Sequence, residues 1–179
     1  MKTTVRKMLQ SGMLSPVMLC LALGVTPMAL ADTFTSIDFP RATLTAAYGI
    51  NPRGDIVGRY ADAAGVIHAY LLRDGDFTSF DFPGATLTAA LGINPRGDIV
   101  GRYIDADAVT HGYLLRAERF TSIDFPGAIQ TELWGINPRG DIVGLYVDAG
   151  GVTHGFLRSK EHRQRGDDAD DQNGHHDND

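Results

Sequence analysis

Between residues 34 and 157 the apolar positions fall into short runs rich in β-branched, aromatic and small side chains, with Gly, Pro, Asn and Asp between them. No helical period is sustained through them, so the pattern predicts consecutive antiparallel strands. In the first stretch these fall at Phe34 to Phe39, Leu44 to Ile50, Asp55 to Tyr60 and Val66 to Leu72.

The turns support that division. Asn51-Pro52-Arg53-Gly54 places Asn at the first corner, Pro at the second and Gly at the fourth, the preferences of a type I turn. The same four residues recur at 94–97 and 137–140. Asp62-Ala63-Ala64-Gly65 and its counterparts at 105–108 and 148–151 read as the next hairpin connection, and Asp74-Gly75 as a further turn pair. Pro40, Pro83 and Pro126 cannot donate to a ladder and mark the end of each leading strand.

These recurrences are a tandem repeat. Phe34, Phe77 and Phe120 open three units at a spacing of 43 residues, the first two agreeing at 32 of 43 positions and the last two at 28. Four strands in about 43 residues matches a β-propeller blade and also one third of a β-trefoil. The expected fold is all-β, three tandem four-stranded propeller-like blades, with the trefoil as the alternative.

Gly49-Ile50-Asn51, then Gly54-Asp55-Ile56-Val57-Gly58, then His68-Ala69-Tyr70 resembles the HAF family of extracellular repeats. The second and third units carry the same pattern, ending in His111-Gly112-Tyr113 and His154-Gly155-Phe156, so the resemblance spans essentially all of 34–157. It implies propeller-type arrays, often with more than three units, and it implies no reaction.

Three units are few for a closed propeller, which typically has about four to eight blades. If each blade takes the leading strand of the following unit, Phe34 to Phe39 is left over and the third blade lacks its outer strand. The simplest closure is a homodimer through strand edges, each chain lending its leading strand to the other.

Outside the repeats the composition changes. Residues 1–31 carry Lys2, Arg6 and Lys7 with no acid, then an apolar stretch, then Ala29-Leu30-Ala31, the pattern of a cleavable signal peptide. A membrane anchor is the competing reading, but the apolar run is short and bracketed by Pro16 and Pro27. Leu19 before Cys20 speaks against a lipoprotein.

The expected domains are thus the signal peptide at 1–31, a three-repeat β domain at 32–157 (units 34–76, 77–119 and 120–157) and a disordered acidic tail at 158–179. Cleavage removes the only cysteine, hence any disulfide, and leaves no membrane span. The net charge of −6 becomes more negative when three basic residues leave, which argues against nucleic acid as a partner. The expected location is extracellular or periplasmic.

Candidate chemistry follows the repeat. Arg53-Gly54-Asp55, repeated at 96–98 and 139–141, spells the tripeptide that integrins read, but it sits in a turn that needs those residues anyway. His68, His111 and His154 hold one slot in every unit. They are candidates for ligand or metal binding, or ring nitrogens that tie a strand to a loop, and no acidic partner is recognisable by spacing.

Asp38, Asp81 and Asp124, with Asp55, Asp98 and Asp141, recur without any unit holding a uniquely placed acid, so they read as turn and strand-edge residues rather than a glycosidase pair. The third unit departs at Gln130, Glu132, Leu133 and Trp134. Trp134, the only tryptophan, is either a sugar-stacking platform or a core residue replacing Tyr48 and Leu91. In the tail, His175 and His176 beside Asp177 and Asp179 offer at most a loose metal site.

No cofactor signature and no catalytic constellation is present. The function expected is an exported, non-enzymatic binding or scaffolding module for an extracellular protein or carbohydrate. The alternative is a propeller-type carbohydrate-active or metal-dependent enzyme.

Overall fold

The protein is described by a computed structural model over residues 32–159, so the expected leader at 1–31 and nearly all of the expected tail lie outside the described residues. The described chain is all β, with no helix. Its strands are β1 (Leu44–Ile50), β2 (Ile56–Ala61), β3 (Ile67–Arg73), β4 (Asp76–Phe80), β5 (Leu87–Ile93), β6 (Ile99–Ile104), β7 (Thr110–Arg116), β8 (Arg119–Ile123), β9 (Gln130–Ile136), β10 (Ile142–Val147) and β11 (Thr153–Arg158). They form three antiparallel meanders, β1-β2-β3-β4, β5-β6-β7-β8 and β9-β10-β11.

The sheets are offset from the sequence units by one strand. Each leading strand joins the sheet before it: β4 opens the second unit yet pairs with β3, and β8 opens the third yet pairs with β7. Phe34 to Phe39, expected as a strand, is not one. The reason is pairing: a leading strand forms against the last strand of the preceding unit, and no such strand precedes Phe34 among the described residues.

Turn chemistry sets the hairpins. In the turn between β1 and β2 the Gly54 amide donates to the Asn51 carbonyl at 2.9 Å, and Gly54 takes φ of 84°, which a residue with a Cβ adopts only under strain. In the next connection Asp62 Oδ1 accepts from the amides of Ala64 and Val66 at 2.8 and 2.9 Å, a short side chain closing its own loop.

The sheets stack face to face in chain order, with β5 lying against β1, β2 and β3, and β9 against β5, β6 and β7. Two layers of core result. Val57, Ala69, Ala90, Ile93, Ile99 and Tyr113 fill the space between the first and second sheets, and Val100, Leu114, Leu133 and Ile142 that between the second and third. Each buried Val, Leu or Ile among them contributes roughly 1.5–3 kcal/mol.

The strands β1, β5 and β9 approach closely because glycine stands at the contact. A Cβ on Gly92 would lie 2.8 Å from the Trp134 carbonyl oxygen and 3.2 Å from the Gly135 Cα. Along the same line Asn51 Nδ2 donates to the Asn94 carbonyl and Asn94 Nδ2 to the Asn137 carbonyl, each at 3.3 Å. The turn asparagine of the first and second units thus ties its sheet to the next.

Candidate functional site

Two polar clusters repeat with the fold. In the first, Asn51 Oδ1 accepts from the amides of Arg53 and Asp55, and its Nδ2 donates to Asp55 Oδ2 at 2.8 Å. Arg53 and Arg73 close on the same carboxylate, Arg73 Nε at 3.0 Å. Hydrogen bonding from Arg73 outweighs burial and, with Asn51 and Arg53, brings the Asp55 pKa down to about 2.

Asp98 repeats the arrangement with Arg116, Asn94 and Arg96; burial opposes ionisation there, and the guanidinium and amide bonds together still lower its pKa. The tripeptide Arg53-Gly54-Asp55 is therefore part of a hairpin turn, with Arg53 and Gly54 exposed and Asp55 on its inside. Its aspartate is 4 % exposed and already bonded, a buried anchor of the turn.

In the second cluster each histidine lies under a ring stack. Phe39 stacks on Tyr60 at 3.6 Å between centroids and Tyr60 on His68 at 5.2 Å, with Phe82, Tyr103 and His111 repeating the order. The acidic partners that spacing did not reveal are present. His68 Nδ1 lies 2.8 Å from Asp81 Oδ2 and its Nε2 3.6 Å from Asp62, while His111 lies 3.1 Å from Asp124 and 3.2 Å from Asp105.

For both rings burial lowers the pKa, but the paired aspartates more than compensate and raise it. The three histidines each use a different set of aspartates and are not brought together. Asp81 and Asp124 belong to the unit after their histidine, so their role becomes readable only once the sheets are known to run across unit boundaries.

One feature does not repeat. A groove of about 310 Å³ runs across the three sheets, lined by Tyr48 and Arg59 of the first, Ala89, Leu91 and Arg102 of the second, and Glu132, Trp134 and Leu145 of the third. These residues occupy only three slots of the unit, filled by Ala46, Ala89 and Glu132, by Tyr48, Leu91 and Trp134, and by Arg59, Arg102 and Leu145.

The middle slot is a β-bulge in every sheet: the register of β1 on β2 skips Tyr48, and that of β9 on β10 skips Trp134. A bulge carries an unpaired residue and re-aims its side chain. Trp134 is 50 % exposed, whereas Leu91, on the same bulge of the second sheet, is buried.

The groove is charged as well as aromatic. Arg102 Nη1 donates to Glu132 Oε1 at 2.7 Å, which neutralises both. Arg59 lies with its guanidinium carbon 5.8 Å from the centre of the Tyr48 ring. Among the described residues it has no carboxylate partner, and its buried Nε has no hydrogen bond.

One uncompensated cation, a half-exposed tyrosine and a half-exposed tryptophan thus share one groove. The sequence signal was there in Glu132 and Trp134; what it lacked was the placement of Arg59, Arg102 and Tyr48 beside them. No family, no curated protein and no solved structure matched the chain.

Proposed function

We propose that the chain is an exported binding module, an arc of three propeller-like blades, that holds an acidic carbohydrate in the groove between Tyr48 and Trp134. One observation carries this reading: in units that are otherwise near copies, three of the slots where aromatic, basic or acidic residues are exchanged converge on one groove. Symmetric repeats supply the frame, and the exchanged residues build an asymmetric surface on it.

The chemistry points to the ligand class. Aromatic faces that stay half exposed stack on the apolar faces of sugar rings, each such contact adding roughly 0.5–1.5 kcal/mol. A guanidinium with no protein carboxylate suits a carboxylate or sulfate on the sugar. That a net charge of −6 is spread over the chain makes this local cation the more distinctive.

The blade reading is supported by two four-stranded meanders and one three-stranded meander stacked face to face with their first strands adjacent, and by the resemblance of the units to HAF repeats. Binding is favoured over hydrolysis because Glu132 is the only carboxylate lining the groove and is bonded to Arg102, whereas glycosidases work with two.

Titration calorimetry with uronic-acid oligosaccharides and their neutral counterparts tests the proposal. Trp134→Ala is expected to weaken binding about tenfold, in line with one lost stacking contact. Arg59→Gln should remove the preference for the acidic series. Binding that ignores both substitutions, or none to any acidic oligosaccharide, overturns it.

A further inference from the structure

The interface between successive sheets is built twice among the described residues, and each end of the stack of described sheets presents half of a third. The third sheet has three strands where the others have four, so the outer edge of β11 carries no neighbour among the described residues. Its outward face shows Val143 and Leu157, 50 % and 65 % exposed, where the equivalent Val100 and Leu114 are buried under the next sheet. At the other end Ile50 is 67 % exposed where Ile93 is buried.

The polar groups are split in the same way. His68 and His111 each hold two aspartates, one from the loop before the strand and one from the following unit. His154 has only the first, Asp148 at 3.2 Å, and its Nδ1 faces no carboxylate among the described residues. Asp38, the counterpart of Asp81 and Asp124, is exposed and bonds no histidine among the described residues. Phe34 is 95 % exposed, whereas its counterparts Phe77 and Phe120 meet Tyr70 and Tyr113 edge to face at 5.4 Å.

We propose that two copies of this chain close head to tail into one ring of six sheets, each copy's Phe34–Asp38 segment completing the third sheet of the other and its Asp38 completing the other's His154 site. The register follows from the internal pairings. Gly112 opposite Ile123 and Tyr113 opposite Ser122 translate into Gly155 opposite Ile37 and Phe156 opposite Ser36 of the second copy.

The same translation sets Asp38 beside His154, as Asp124 stands beside His111. The face bearing Val143 and Leu157 then covers Ile50 of the second copy, repeating the two internal cores. A head-to-tail contact of this kind gives a ring when its rotation closes and a filament when it does not. Six sheets lie within the usual four to eight of a closed propeller, and two copies supply them.

Light scattering and native mass spectrometry of the chain expressed with its own leader decide the matter. A two-copy mass is expected at micromolar concentration. A single-copy mass, or a ladder of increasing assemblies, overturns the ring.

The register is tested by a charge exchange. Asp38→His and His154→Asp are each expected to weaken the dimer at least tenfold while circular dichroism stays that of the parent. Together they should restore it, because the pair is re-formed with its ends swapped. Single variants that dimerise as the parent does, or a double variant no better than either single, overturn the pairing of Asp38 with His154.

Discussion

The second sheet and the third are nearly the same sequence in two different settings. The second is covered on both faces, and the third on one. Val100 is wholly buried and Val143 half exposed, though each follows the same Asn-Pro-Arg-Gly-Asp-Ile and precedes the same glycine. Burial in this fold is thus a property of position in the stack, and the local sequence decides only that a strand forms. The difference also separates two kinds of residue: those that need the neighbouring sheet and those that need only their own.

Leu114 and Leu157 test the first kind. Leu114→Ala is expected to cost about 2–4 kcal/mol, the loss of a buried leucine plus the cavity it leaves. In a dissociated chain such as Asp38→His, Leu157→Ala should cost less than about 0.5 kcal/mol, as for an exposed site. Urea titrations of both variants measure this, and equal losses would break the contrast between the two sheets.

The glycine at the centre of each second strand tests the other kind. A Cβ on Gly58, Gly101 or Gly144 would run into a carbonyl oxygen of the adjoining strand, that of Ala46, Ala89 or Glu132, and into the ring of Tyr70, Tyr113 or Phe156. The obstruction lies within one sheet, so alanine at any of the three should cost about 1–3 kcal/mol wherever the sheet stands in the stack. A loss confined to Gly101 would show that stacking matters here too.

Sequence reasoning reached the within-sheet features far better than the between-sheet ones, for the same physical reason. Strand β1 was legible to the residue and β2 and β3 to within one, because alternation and the Asn51 to Gly54 turn are local. The expected strand at Phe34 to Phe39 is absent because a strand needs a partner, and none precedes it among the described residues. Asp81 beside His68 is thirteen positions away across a unit boundary, where no local pattern reports it. Trp134 was legible as a departure from the repeat but its exposure was not, because the same bulged slot is buried at Leu91 in the second sheet and open in the third.

The buried aspartates extend the comparison to pH. Asp55 and Asp98 have folded pKa values below the ordinary carboxylate value, Asp55 at about 2, so their contribution is full above the unfolded value near 3.8. It is lost as pH falls through the folded values. His68 and His111 are raised above 6.5, so theirs is full below that value and is lost as pH rises through the folded pKa.

Stability should therefore be greatest between about pH 4 and 6.5 and fall on both sides, read by thermal melts across the range. Asp98→Asn should flatten the acidic limb and leave the alkaline limb unchanged. An acidic limb that keeps its slope would place the titrating group elsewhere.

The smallest effect compares the outer hairpins of the first two sheets. Asp74 and Gly75 join β3 to β4 with φ of 52° and 88°, and Ala117 and Glu118 join β7 to β8 with φ of 46° and 62°. Both are two-residue turns with positive φ at each centre, a geometry that Asn or Asp followed by Gly adopts at least cost. Glu118 bears the strain that Gly75 avoids. Glu118→Gly is expected to stabilise the second sheet by about 0.5–1 kcal/mol, and Gly75→Glu to destabilise the first by a similar amount. Melting temperatures that move oppositely in the two variants would show that the hairpins share one turn and differ only in how well their residues suit it; a shift of the same sign in both would refute this.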